Sequence, residues 1–184
     1  MIPNPEQPII YTVGHSTRSL DELVALLRGF GIRRVVDVRT IPRSRHNPQF
    51  NRKTLAAALH NRRLSYRHLK GLGGLRHARA DSPNQGWRNL SFRGFADYMQ
   101  TPAFWEALDR LIELATERRT AIMCAEAVPW RCHRYLIADA LLVRGFPVEH
   151  IMGPGTTRTH TLHPMAVVEE GLIIYPPPPE PTLS

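Results

Sequence analysis

The chain has 184 residues, 42% of them hydrophobic, which suits one domain with one sizeable core and excludes a wholly disordered chain. No apolar run approaches the roughly 18–20 residues that span a bilayer, so no membrane association is expected. The net charge of +8 is unevenly placed: from Arg28 to Arg93 sixteen Lys/Arg face two acids, while the remainder is net acidic, and such asymmetry points to an anionic small molecule or a nucleic acid as partner.

The segment from Met1 to Pro8 is polar and proline-rich, without a basic n-region or an apolar h-region, so no signal peptide is expected. Ile9-Ile10-Tyr11-Thr12-Val13, stopped by Gly14, reads as a buried strand. Ser19 and Glu22 have capping-box spacing, and Leu20, Leu23, Val24, Leu27 and Phe30 share one helical face behind them. Val35 to Val38 is the next strand, completing a strand–helix–strand unit whose crossover is right-handed. A polar loop follows, then a helix over 51–61 and a third strand over 64–69. The stretch from Arg76 to Asn89 reads as an irregular excursion, and Phe92 to Met99 as a short helix. Thr101 and Pro102 supply a cap and a first-turn proline for a helix reaching about Arg118. Ala121 to Cys124 is a buried strand, Arg131 to Arg144 a helix, Pro147 to Met152 a last strand, and 167–175 a small β element. Pro176 to Pro179 and Pro181 cannot join a sheet interior. The expectation is one α/β domain over 9–175, with a mainly parallel sheet covered by helices on both faces (Rossmann-like, three layers), between a polar segment at 1–8 and a proline-rich tail at 176–184.

In an open parallel sheet, ligands gather at the carboxyl ends of the strands. The residues there are Gly14, His15 and Ser16 after the first strand. Asp37 and Arg39 follow the second, with Ser44 further along its loop. Cys124 and Glu126 follow the fourth, then Cys132, His133 and Arg134, and His150 lies near the end of the last strand. The stretch from Cys124 to Arg134 is the densest. A strand, a short loop and a helix N-terminus bind anions, because free N–H groups and the helix dipole face the ligand. A thiol in that field becomes a thiolate nucleophile near neutral pH. The gap between Cys124 and Arg131 is one residue longer than in the phosphatase-type loop and its sulfurtransferase relative, so that motif is not matched.

Two other readings stay open. Cys124, Glu126, Cys132 and His133, with His15 or His150, are ligand types for zinc, but their spacing fits no recognised zinc pattern. Alternatively, both cysteines simply pack in the core. Asp37 could orient His15 or an arginine. Gly71-Leu72-Gly73-Gly74 has neither dinucleotide-fingerprint nor P-loop spacing and reads as a turn, and the cofactor is left unknown by the sequence. Tyr66, Trp87, Phe92 and Phe95 lie among arginines, where they could stack on bases or belong to the core. Two cysteines are too few for a disulfide scaffold, so free thiols in a reducing, cytoplasmic setting are expected.

Taken in order, Gly14-His15-Ser16, Asp37-Val38-Arg39, Pro42-x-Ser44, Tyr66, Leu72-Gly73-Gly74, Phe95-x-x-Tyr98-Met99, Cys124-x-Glu126 and Cys132-His133-Arg134 resemble the domain-of-unknown-function family 488 from about Tyr11 to Ile151. The resemblance implies a compact α/β domain and brings no catalytic roles with it. It also implies that Cys124, Glu126, Cys132, His133, Arg134, His15, Ser16, Asp37 and Arg39 act as one constellation.

The leading expectation is an enzyme of the hydrolase or transferase type with a phosphate-bearing substrate. Cys124, Glu126, His133 and His15 would do the chemistry, and Ser16, Asp37, Arg39, Ser44, Cys132 and Arg134 would hold the anion. The alternative is a non-catalytic nucleic-acid-binding module on the basic half from Arg28 to Arg93.

Overall fold

Each strand of the main sheet is a short run of β-branched and apolar residues between polar turns, and alternation of side chains decides which helices cover it. The structure, a computed structural model, describes residues 3–180. Strands β1 (Ile10–Gly14), β2 (Arg34–Asp37), β3 (Ser65–His68), β4 (Thr120–Cys124) and β5 (Val148–Gly153) run parallel, and β6 (Thr156–Thr159) closes one edge antiparallel to β5. The spatial order is β3-β2-β4-β1-β5-β6. Helices α1 (Leu20–Gly29) and α2 (Arg52–Asn61) pack Leu23, Leu27, Leu55 and Leu59 against Val13, Val35, Ala121 and Met123 on one face. On the other face α3 (Leu90–Tyr98), α4 (Pro102–Glu117) and α5 (Arg134–Val143) pack Phe95, Leu108 and Ile137 against Ile10, Val36, Ile122 and Cys124. The chain is therefore the α/β domain read from its sequence, a mainly parallel sheet with helices on both faces. A hairpin of β7 (Val167–Glu169) and β8 (Leu172–Ile174) forms a separate two-stranded sheet and adds Ile173 to the second core.

The capping box at Ser19 and Glu22 is present, with both bonds at 3.1 Å. Two expectations are corrected. Thr101 stands at the N-cap of α4 ahead of Pro102, as expected, but its side chain makes no capping bond, since its hydroxyl donates to Tyr98 O at 2.7 Å. The helix expected from Arg131 starts at Arg134, because Pro129–Arg131 form a 3-10 turn. The irregular stretch from Arg76 to Asn89 is held by buried Asp97, which accepts from Arg79 N (2.8 Å), Ser82 Oγ (2.5 Å) and Asn84 Nδ2 (2.8 Å). Residues 176–180 carry no regular secondary structure; Pro181 and the rest of the proline-rich tail lie outside the described residues, as do residues 1 and 2. No helix among the described residues is long and apolar enough to cross a membrane.

Candidate functional site

Parallel pairing sets Gly14 beside Cys124 and Asp37 beside Met123, so the carboxyl ends of β1, β2 and β4 meet at one point. The loop leaving β4 then folds over β1: His15 N donates to Cys124 O and Ser16 N to Ala125 O, both at 2.9 Å. Only glycine fits at position 14, because a Cβ there would lie 1.8 Å from Glu126 O. Period-two alternation points Cys124 to the same face as Ile122, towards α5.

Arg134, the first residue of α5, is fully buried beneath that loop. Its Nη1 donates to Cys124 Sγ at 2.8 Å and to Glu126 O at 2.6 Å, and its Nη2 to Ala127 O at 2.9 Å. No carboxylate lies within ion-pair distance of it among the described residues, and its Nε has no hydrogen-bond partner there. A buried guanidinium needs an anion, and the Cys124 sulfur is the group placed to supply one. Burial alone would raise the Cys124 thiol, but the hydrogen bond with Cys132 and the charge of Arg134 outweigh it and bring it down to about 7. The Cys132 sulfur lies 2.7 Å from that of Cys124. Burial, followed by the hydrogen bond with Cys124, raises this second thiol. One proton thus stays on Cys132 while Cys124 ionises. Both cysteines are free.

His133 lies beside them. Its Nε2 is 2.9 Å from Val38 O, and a carbonyl only accepts, so Nε2 carries the proton. Nδ1, 3.5 Å from Cys132 Sγ, is left as an acceptor. Burial pushes His133 down to about 4, so the ring is neutral at physiological pH. Gly74 packs flat against it, since a Cβ at that position would meet His133 Nδ1 at 2.6 Å.

Above the sulfurs opens a cavity of about 480 Å³. Of the residues expected at the site, Arg39, Cys124, Glu126, Cys132 and His133 line it, and Arg134 supports Cys124 from below. Glu126 is exposed at the rim and accepts from Val128 N. The others sit further back. Asp37 is fully buried, holding Arg39 through two contacts of 2.9 and 2.6 Å and accepting from Tyr66 OH at 2.6 Å. Burial opposes the Arg39 charge, and Asp37 outweighs it, raising Arg39 above its ordinary value. His15 stacks on Phe50 and donates from Nδ1 to Ser16 O, leaving Nε2 3.4 Å from Arg39 Nη1. Ser16 adopts a positive φ of 51° at the turn. Ser44 accepts from Asn47 N within its own loop. None of these four residues lines the cavity. His150 belongs to a different network, joined to Thr12 and His160.

The model of one family, described as Domain of unknown function DUF488, matches residues 19–141, well over half of the chain. The protein belongs to this family. No curated protein and no solved structure matches the chain. Within the DUF488 match fall Asp37, Arg39, Ser44 and the whole segment from Cys124 to Arg134, whereas His15 and Ser16 precede it.

Sequence reasoning did not single out Arg43, Asn89 or Ser91, which line the same cavity together with Phe92, one of the aromatic residues read as able to stack on bases or belong to the core. Asn89 carried a usable signal as a cap residue ahead of an apolar run. It accepts from Ser91 N and Phe92 N, and so fixes the start of α3 at the cavity wall. Among the described residues no three His, Cys, Asp or Glu side chains are grouped as a metal ion would need.

Proposed function

We propose that this DUF488 protein is a thiol-dependent enzyme of the transferase or hydrolase type, with Cys124 as nucleophile and a phosphate-bearing or similarly anionic substrate. The observation that carries this reading is the buried Arg134 guanidinium, whose one potential anionic partner among the described residues is a sulfur at the floor of a cavity. A thiolate there attacks an electrophilic centre of the substrate and departs again in a second step. Arg39, Arg43 and Arg131 on the cavity wall are the groups to orient the anion. Glu126 is the carboxylate on that wall and is placed to handle the leaving-group or water proton. His133 and His15 each spend one nitrogen on a carbonyl, so at neutral pH they serve as acceptors and positioning groups.

Alkylation of Cys124 in the folded protein, followed by peptide mass against Cys132 across pH, tests this. The expected apparent pKa is about 7, rising in Arg134→Met, with Cys124→Ser inactive on phosphorylated substrates. A Cys124 that titrates at the ordinary thiol value of about 8.5 would overturn the covalent mechanism.

A second reading, binding of a nucleic-acid strand, is favoured by a groove of about 580 Å³ that shares Gly74, Leu75 and Ser91 with the cavity and adds Arg76, His77, Arg79 and Arg93. It requires binding that weakens steeply with salt and survives loss of Cys124.

A further inference from the structure

We infer that Cys124 and Cys132 form a dithiol–disulfide redox centre, in which Cys124 captures an electrophilic sulfur in the cavity and Cys132 resolves the adduct. The inference rests on the nucleophilic Cys124 proposed above and goes past it, because it gives the second thiol a covalent role.

Proximity comes first. The sulfurs are 2.7 Å apart and a disulfide needs about 2.05 Å, so the bond closes with a side-chain movement of under about 1 Å. Asymmetry comes second. Cys124 faces Arg134, while the hydrogen bonds of Cys132 Sγ run to Cys124 and to His133 Nδ1. Attack and resolution need such a division, one sulfur ionised and the other protonated with an acceptor in reach. Because His133 Nε2 is tied to Val38 O, Nδ1 is the nitrogen presented to the Cys132 thiol. Access comes third. Both cysteines line the cavity, whose volume is in the range that admits a small ligand.

The substrate class that completes the reaction is a low-molecular-weight disulfide. The Cys124 thiolate attacks one of its sulfurs, forming a mixed disulfide and expelling the first thiolate. Cys132 then gives up its proton, by way of His133 Nδ1 or the departing thiolate, and attacks Cys124 Sγ. The mixed disulfide breaks and the second thiolate leaves. The small disulfide gains two electrons and becomes two thiols, and the cysteine pair loses two electrons and becomes Cys124–Cys132.

Arg134 sets the direction in which the pair rests. Oxidation consumes the thiolate and leaves the buried guanidinium without an anion, so the reduced form is favoured by the protein itself. Such a disulfide is returned to dithiol by a modest excess of a simple thiol. The pair is suited to turnover or switching, not to bracing the fold.

The test uses the reduced full chain, treated near neutral pH with oxidised glutathione and followed by intact and peptide mass. The native chain is expected to lose two hydrogens, with a Cys124–Cys132 peptide and no lasting glutathione adduct, and to revert with reduced glutathione. Cys132→Ser, with Cys132→Ala as a second variant in case the first is poorly folded, is expected to accumulate one glutathione on Cys124. Persistent glutathionylation of Cys124 in the native chain, as in Cys132→Ser, would overturn the resolving role while leaving the nucleophile intact. Slow alkylation of Cys124 with no adduct in any variant would remove the nucleophile and the redox centre together.

Discussion

Helix α5 carries two buried charges of opposite sign, and the protein neutralises them in different ways. Arg134 at its start meets a sulfur and two loop carbonyls beside an open cavity. Asp139 in its middle meets His160 Nε2 (2.8 Å), Tyr175 OH (2.7 Å) and His163 N (3.0 Å). The second network continues as a chain of contacts: Thr12 Oγ1 lies 2.6 Å from His150 Nδ1, and His150 Nε2 lies 2.9 Å from His160 Nδ1. Tyr135 stacks on His150 and meets His160 edge-on. Every partner of Asp139 is a strong donor, and the chain ties β1, β5, α5 and the segment after β8 into one unit. Arg134 instead depends on a group that is only an anion when ionised, and its Nε is left over. A fully satisfied buried network specifies structure. A charge matched to a nucleophile at a cavity floor is arranged for chemistry.

Acid separates the two regions most strongly. Burial holds His150 down at about 3, with repulsion from His160 added, and holds His133 at about 4. Between those values and the ordinary 6.5, the unfolded chain binds protons that the folded chain refuses. The contribution of these two histidines is then complete above about pH 6.5 and falls as pH drops, by on the order of 1.4 kcal/mol per pH unit for each. Urea midpoints are expected to fall steeply from pH 6.5 to 4. Removing the His150 ring, in His150→Asn, is expected to shallow that slope. A flat profile in the native chain would mean that the rings are protonated in place, and the closed network would lose its meaning.

Much of this was legible in the sequence, for identifiable reasons. The strands β1, β2, β4 and β5 are buried and rich in β-branched or apolar residues, so their carboxyl ends could be found and the residues beyond them collected. Ser19 and Glu22 announced α1 because capping is a local matter. The edge strand β6, Thr156–Thr159, is exposed throughout, so it carries no apolar alternation to find. Asp97 resembles any polar residue on a helix, yet it is buried to satisfy a loop distant in sequence, and periodicity does not encode that. The arginine that meets Cys124 is Arg134 and not the nearer Arg131, because the 3-10 turn at Pro129–Arg131 delays the helix. A shift of one turn in the helix start decides which guanidinium enters the core, and sequence patterns locate helix ends to within only a few residues.

Deleting each thiol in turn sharpens the comparison at the Arg134 end. Cys124→Ala leaves a buried guanidinium with carbonyls alone, and removing one partner of a buried charge pair costs about 3–5 kcal/mol. Cys132→Ala removes a protonated thiol with no formal charge to strand, so the central cost of a point substitution, about 1 kcal/mol, is expected. The gap between the variants is expected to widen as pH rises, whereas a structural packing effect would not titrate. The Cys124 thiol is lowered from 9.0 to about 7, so its contribution is present above pH 9 and is lost as pH falls through 7. Denaturation of both variants and the native chain at several pH values between 6 and 9 measures this. Equal, pH-independent losses in the two variants would show that Cys124 remains a neutral thiol and that the loop carbonyls alone satisfy Arg134.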